Sequence, residues 1–231
     1  FFDGPKPLRL MERIMLIANL KDDSIILDFF SGSATTAHAV MKLNAECGSN
    51  RKFIMVQIPE ETEEKSDAHK AGYQNICEIG KERIRRAGAK IKEEAGLTAQ
   101  NLDVGFRVLK CDTSNMKDVY YSPSDFDRNL LDLMADNIKE DRTPEDLLFQ
   151  VMLDLGVTLS SKIEETTIAG KKVFDVADGF LIACFDKDVN DETIKAIAQK
   201  QPYYFVMRDS SLANDSVATN FEQIFATYSP D

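Results

Sequence analysis

The chain has 231 residues, 43% hydrophobic and 29% charged, which is typical of a globular protein with room for one large domain or two small ones. No apolar run approaches the roughly 18 residues of a transmembrane helix, and the first residues lack a secretory pattern, so we expect a cytoplasmic protein without membrane attachment. The net charge of −11 is unexpected for a protein that neutralises nucleic-acid phosphates, and four scattered cysteines without metal-ligand spacing disfavour a zinc site or a disulfide framework.

The first element is a rigid arm followed by a helix. Pro5 and Pro7 restrict the backbone on either side of Lys6 and favour an extended arm. Apolar residues then recur at helical spacing and predict an amphipathic helix over about 7–20, with Leu8, Leu10, Met11, Ile14, Ile17 and Ala18 on one core face.

Residues 25–44, IILDFFSGSATTAHAVMKLN, predict a buried strand ending at Asp28, a turn on Gly32 and a helix from about Ala34 to Asn44. Such strand-to-helix loops hold nucleotide-like ligands at the carboxyl ends of parallel strands. The loop has neither the lysine of a P-loop nor the three glycines of a dinucleotide site. Asp28 would also repel a pyrophosphate, so a cationic ligand with an adenosine end, such as S-adenosylmethionine, suits the loop better.

A second strand, RKFIMVQI, follows and completes a strand–helix–strand unit, which we expect to be right-handed. Ile54, Val56 and Ile58 alternate with Met55 and Gln57. In many cofactor-binding folds an acidic residue near this strand end binds the ribose hydroxyls. Gln57 occupies that position here, with Glu60 just beyond it, and both are candidates for the ribose contact.

A polar loop over 60–72 leads to a long helix predicted from Tyr73 to Ala95, with Gly96 as its C-cap. Residues 81–92, KERIRRAGAKIK, hold six basic residues against one Glu. Lys81, Arg85 and Arg86 are therefore the candidates for a DNA contact, and a solvated helix face is the alternative.

The remainder divides into a connector, 97–125, and a smaller α/β domain, 126–231. In the connector, Phe106, Val108 and Leu109 suggest a strand. In the domain we expect a helix from Phe126 to Asn137 and a second helix starting at Pro144. A hairpin around Gly170, the strands FLIACF and YYFVM around a helix, and a last helix over 214–228 follow.

The stretches FFDGPKPLRLMERIM and ILDFFSGSATTAHAVMKLN resemble motifs X and I of β-class DNA amino-methyltransferases, and more narrowly the modification subunit of type III restriction-modification systems. GYQNICEIGKERIRRAGAKI, LDVGFRVLKCDTSN and YFVMRDSS are similar to later parts of that subunit. The resemblance implies a Rossmann-like S-adenosylmethionine-binding methyltransferase domain over 1–96 and adenine-N6 methylation of DNA. It implies a restriction subunit and a second copy of the chain as partners, and a subunit-interaction role for 126–231.

The resemblance also assigns residues. Lys6 belongs to motif X, and motif I comprises Asp28, Phe30, Gly32, Ser33 and Thr35, whose hydroxyls can serve as helix caps or cofactor contacts. One departure is Ala34, where the family commonly has Gly.

The family presents the target adenine with an Asp-Pro-Pro-Tyr-like tetrapeptide, and this sequence contains no Pro-Pro pair. In β-class enzymes that motif and the target-recognition region precede motif X, so we expect them upstream of Phe1, no catalytic residue within this chain, and a fragment that is inactive alone. Two alternatives stay open: a non-catalytic interaction module, and an unrelated nucleoside-dependent enzyme such as an oxidoreductase.

Overall fold

A computed structural model describes residues 4–96, 101–117, 137–212 and 215–229. The chain divides into two compact units, residues 1–110 (unit 1) and residues 111–231 (unit 2), a division that lies inside the predicted connector. The acidity is unevenly shared between them. Unit 1 has 17 Lys and Arg against 16 Asp and Glu, a net charge of +1, whereas unit 2 has 11 against 23, a net charge of −12.

Unit 1 is a parallel strand pair with helices packed on one of its faces. Its elements are α1 (Leu8–Ile17), β1 (Ile25–Asp28), α2 (Thr35–Cys47), β2 (Lys52–Met55), α3 (Asp67–Lys70) and α4 (Ile76–Ala95). The strands are parallel with Asp28 opposite Met55, so their carboxyl ends reach the same edge. The predicted strand–helix–strand unit is confirmed, and the predicted loop over 60–72 contains the short helix α3.

One face of this strand pair is covered by helices, and the other face is exposed. Ile26, Phe53 and Met55 pack against the helices. The opposite face, which we call the bare face, is 48–64% exposed and consists of Ile25, Leu27, Ile54, Val56 and Ile58. Parallel sheets usually have both faces covered. The bare face is therefore an apolar surface without a partner among the described residues.

The core face of α1 is narrower than the sequence predicts. Leu8, Met11 and Met15 pack against α2 and form a stripe at helical spacing. The prediction was wrong for other members of the apolar set, because they lie on the side of α1 that faces away from α2: Leu10, Ile14 and Ile17 are 46%, 48% and 77% exposed.

The helix α4 begins at Ile76 rather than Tyr73 because the Asn75 side chain accepts a hydrogen bond from the Glu78 N–H and caps it. Gly96 ends it, as predicted.

An extended segment after α4 packs back onto that helix. Leu102, Val104 and Phe106 contact the cluster that contains Ile84, Ala87 and Ile91. The segment forms no named strand in the described residues, and Val108 and Leu109 are about half exposed, which corrects the predicted strand.

Unit 2 is a four-stranded sheet between helices. Its elements are α5 (Pro144–Asp154), β3 (Ile163–Ile168), β4 (Lys171–Val176), β5 (Leu181–Cys184), α6 (Asp191–Ala198), β6 (Tyr204–Met207) and α7 (Asp215–Tyr228). The strands lie in chain order, antiparallel except for the parallel pair β5–β6. The predicted hairpin, strands and later helices are confirmed, and the helix predicted over 126–137 falls almost wholly outside the described residues.

The two faces of the unit 2 sheet are both covered, because alternate residues of β5 point to opposite sides. Leu181 and Ala183 pack with α5, while Ile182 and Cys184 pack with α6 and α7. All four residues are buried. Unit 2 therefore has apolar cores on both faces of its sheet.

Gly88 offers a test of how the extended segment packs on α4. A Cβ at Gly88 would lie 3.0 Å from the Cβ of Val104. We expect Gly88→Ala to destabilise the chain by about 1–2 kcal/mol in urea unfolding, because overpacking outweighs the ~1 kcal/mol gain in helix propensity.

Val104→Gly removes both the Cβ and the Cγ2 of Val104, which lie 3.0 and 3.2 Å from the added Cβ, so the double variant should be more stable than the sum of the single effects predicts. Ala89→Gly, on the exposed side of the same helix, measures the propensity effect alone. If Gly88→Ala is stabilising, the segment does not pack on α4 as described.

Candidate functional site

The loop that joins β1 to α2 crosses the carboxyl end of β2. The Val56 N–H donates to the Asp28 carbonyl at 2.8 Å, and the Ser31 N–H donates to the Val56 carbonyl at 3.2 Å. These bonds extend the strand pairing beyond Met55 and fold the loop over the strand end. The loop of residues 28–34 therefore lies at the edge where α/β proteins hold ligands.

Asp28 organises the first half of this loop. Its Oδ2 accepts a hydrogen bond from the Thr36 hydroxyl at 2.6 Å, and its Oδ1 accepts one from the Phe30 N–H at 3.3 Å. The carboxylate remains partly exposed at the strand end. A carboxylate has about four acceptor sites, so Asp28 keeps capacity for a donor on a ligand.

Gln57 holds the middle of the loop. Its Oε1 accepts a hydrogen bond from the Gly32 N–H at 2.7 Å, and its Nε2 donates to the Ile58 carbonyl at 3.1 Å. The side chain predicted for the ribose contact is thus used to fix the loop backbone. Gly32 itself has φ of +50°, a conformation that favours glycine.

The start of α2 lacks a side-chain cap. The residue before it is Ala34, buried in the left-handed region with φ of +57°, and no side-chain hydrogen bond caps the helix. Ser33 and Thr35 are also buried, and their hydroxyl oxygens lie 3.4 Å apart. Among the described residues these hydroxyls therefore do not cap α2.

The helix α4 supports the loop from outside. A Cβ at Gly80 would lie 3.3 Å from the Gly32 carbonyl oxygen and 3.6 Å from the Ala34 Cβ, so the helix and the loop are in close contact. The Arg83 Nη1 donates to the Ser33 hydroxyl at 2.9 Å. Sequence reasoning missed Arg83 as a loop contact. Its only signal was membership of the basic run, 50 residues away in the chain.

Three other predicted cofactor residues take different positions. The Phe30 side chain is 78% exposed beside the loop, with its ring centroid 5.3 Å from that of Phe29. Lys6 and Glu60 are exposed, and within the described ranges neither side chain forms a hydrogen bond or an ion pair with the loop. The structure thus places Asp28, Gly32 and Gln57 at one loop, whereas Lys6 and Glu60 make no such bond to it.

The predicted DNA-contact residues on α4 all have partners within the chain. Lys81 pairs with Glu78, and Arg86 pairs with Glu82 at 2.7 Å. The Arg85 guanidinium lies 5.7 Å from the centroid of the Phe106 ring. A DNA contact through these residues stays a prediction.

The described ranges of the chain contain no helix that is both long enough and apolar enough to cross a membrane. They also contain no group of three or more His, Cys, Asp or Glu side chains arranged to hold a metal ion.

The chain is similar to a known protein family and to several characterised proteins. Residues 1–70 match the N6_N4_Mtase family model, described as DNA methylase. The EcoP15I Mod subunit, a type III restriction-modification enzyme subunit of Escherichia coli, is 34% identical over 234 aligned positions, which cover 96% of this chain and 32% of that protein. The StyLTI Mod subunit of Salmonella typhimurium is 48% identical over 106 residues, or 46% of this chain and 16% of that protein.

The type II methyltransferase M.KpnI of Klebsiella pneumoniae is 42% identical over 80 residues, covering 34% of this chain and 18% of that protein. The matched part of each of these relatives is thus at most about a third of its length. One of the matches nevertheless extends over nearly all of this chain, across both units. The chain is therefore a homologue of the modification subunits of type III restriction-modification enzymes, as its motifs X and I predicted.

Proposed function

We propose that this chain is the cofactor-holding part of a site-specific DNA methyltransferase, which transfers a methyl group from S-adenosylmethionine to N6 of adenine in a type III restriction-modification system. The observation that carries the proposal is the loop of residues 28–34, which Gln57 and Asp28 fix at the strand ends. The homologous Mod subunits support the choice of reaction.

The groups at the loop suit the methionine end of this cofactor, which carries an ammonium and a carboxylate. The partly exposed Asp28 carboxylate can accept hydrogen bonds from the ammonium. The start of α2 has no side-chain cap, and the positive end of its helix dipole next to the loop favours the carboxylate. The negative Asp28 and the positive helix end together favour a ligand that carries both charges, such as the methionine end of S-adenosylmethionine. A pyrophosphate would be repelled by Asp28.

Bound S-adenosylmethionine supplies an electrophilic methyl group on its sulfonium. The residues of this chain bind and orient it. Gly32 lets the backbone approach the ligand closely because it has no Cβ, and the exposed ring of Phe30 offers an apolar surface next to the loop. Gln57 keeps the loop in place.

The acceptor half of the active site would come from another part of the protein. The sequence has no Pro-Pro pair, and an adenine must be extruded and hydrogen-bonded before transfer. The bare face supports this division, because five half-exposed apolar side chains on a parallel sheet require a cover. We assign that cover to the remainder of the methyltransferase domain.

Unit 2 favours a second, non-catalytic role. It has its own cores on both faces of a sheet and a net charge of −12, which repels DNA phosphates. Its proposed partners are the restriction subunit and a second copy of the chain.

Cofactor binding tests the main proposal. We expect isothermal titration calorimetry to show that the 231-residue chain binds S-adenosylmethionine and not NAD. We also expect no transfer of labelled methyl groups from the cofactor to DNA by the chain alone. Absence of heat at millimolar cofactor would favour the interaction module, and methylation by the chain alone would refute the missing acceptor site.

Gln57 tests whether the loop must be fixed for binding. We expect Gln57→Ala to weaken S-adenosylmethionine binding about two- to twelvefold, the value of one net hydrogen bond. Gln57→Glu keeps an acceptor oxygen for the Gly32 N–H and should lose less.

A 2′,3′-dideoxy analogue of the cofactor separates loop positioning from a direct ribose contact. If Gln57 positions the loop, Gln57→Ala weakens the analogue and the cofactor equally. If the effect disappears with the analogue, Gln57 binds the ribose instead. Glu60→Gln, measured with both ligands, applies the same test to the other ribose candidate.

The bare face gives a test of the missing cover. We expect Ile54→Thr to cost less than about 1 kcal/mol of unfolding free energy in this chain, where Ile54 is 50% exposed. In the complete subunit, the same change should cost about 2–3 kcal/mol because it buries a hydroxyl and removes a methyl group. Ile84→Thr, buried in both contexts, is the control. Equal costs of Ile54→Thr in both proteins would contradict the proposed cover.

A further inference from the structure

A groove between α2 and α4 is lined by several basic side chains. Its volume is about 320 Å³, roughly ten times the share of one water molecule in the liquid. The residues that matter for its charge are His38 on α2 and Arg83, Arg86, Lys90 and Glu82 on α4. Arg83, Arg86 and Lys90 are three and four residues apart and therefore share one helix face.

The positive charge of the groove is incompletely neutralised within the chain. Arg86 pairs with Glu82 and also bonds the Tyr73 hydroxyl, whereas the ion pair described for Lys90 is a long, exposed contact of 3.7 Å with Glu94. The one hydrogen bond described for the Arg83 side chain goes to the neutral hydroxyl of Ser33. Burial lowers the pKa of Arg83, because a desolvated cation without a carboxylate partner is costly. An incoming anion would offset that cost.

His38 lies half-buried in the same groove, and its pKa is sensitive to the electrostatic potential there. Burial lowers the pKa of His38, and the nearby cations Arg83, Lys42 and Lys90 lower it further, while only Glu12 raises it. The imidazole is therefore neutral at pH 7 in a cationic surrounding. An anion in the groove would stabilise the protonated ring and raise that pKa.

The location of the groove agrees with the distribution of charge. Unit 1 carries +1 and unit 2 carries −12, so a polyanion meets less repulsion at unit 1. Arg and Lys at one helix face, with a His beside them, are the groups that bind phosphate oxygens.

We propose that the groove of His38, Arg83, Arg86 and Lys90 binds a phosphodiester group of the DNA backbone. The assignment to DNA rests on the proposed methyltransferase function. The site takes Arg83, Arg86 and Lys90 from the basic run of α4 and adds His38 from α2, so it is built by tertiary packing rather than by the run alone. It positions the duplex and reads no sequence.

Histidine signals in a proton NMR titration test the site directly, because the chain has two histidines, His38 and His69. His69→Gln assigns them. The titration is run without cofactor, on the chain alone, with inorganic phosphate, and with a short DNA duplex. We expect phosphate and duplex to raise the pKa of His38, with the His69 signal as the control.

Charge reversal within the groove provides the matched comparison. Lys90→Glu should abolish the response of His38, whereas Lys65→Glu, an identical charge change on an exposed loop, should preserve it. A response to free phosphate without one to DNA would overturn the DNA assignment. Equal responses of both histidines, or none, would overturn the site.

A second measurement does not depend on the folding of the isolated chain. In the complete subunit, without cofactor, Lys90→Glu should reduce the slope of log affinity for DNA against log salt by about one unit, and Lys65→Glu should not. Identical slopes for the two variants would reject the proposal. Neither measurement involves methyl transfer. A negative result would therefore reject the phosphate site without deciding whether the protein is a methyltransferase.

Discussion

The parallel pairing of β1 with β2 is the constraint on which the rest of unit 1 depends. Because Asp28 lies opposite Met55, the two strand ends meet at one edge, and the loop after β1 can bond to β2. That loop then receives Gln57 from the neighbouring strand. A slip of one residue would turn Gln57 away from Gly32 and also exchange the covered face of the sheet with the bare face.

The helix α4 links the two sites proposed for this chain. Gly80 permits its close approach to the loop at Gly32, and Arg83 bonds to Ser33 while also lining the basic groove. Arg83 therefore contributes to both the loop and the groove. The long polar insertion between β2 and α4 is tied down at Glu61 and Asn75, which keeps the start of α4 in register with the strand end.

The two halves of the chain have very different net charges, which the total charge does not show. An overall charge of −11 argues against DNA binding, yet the whole excess of negative charge lies in unit 2, which carries −12 against +1 in unit 1. The difference in net charge between the two halves can be counted from the sequence. The division of the chain into two compact units shows that the two charges belong to separate structural units. In the proposed function, phosphate neutralisation would belong to unit 1 and partner binding to unit 2, a division that is compatible with both the acidic total and the DNA methylase family model.

The sequence by itself determined the features that depend on local backbone chemistry. The capping box of Thr143 and Asp146, the Gly170 hairpin and the Gly96 helix end are formed by residues within a few positions of one another, so they were predictable. Motif I likewise identified the loop. Only the tertiary structure decided which face of an alternating strand is covered, because the alternation of Ile54 and Met55 is compatible with either choice. It also decided that Gln57 holds Gly32 and that Arg83 reaches Ser33, since those contacts join residues 25 and 50 positions apart and depend on how strands and helices pack.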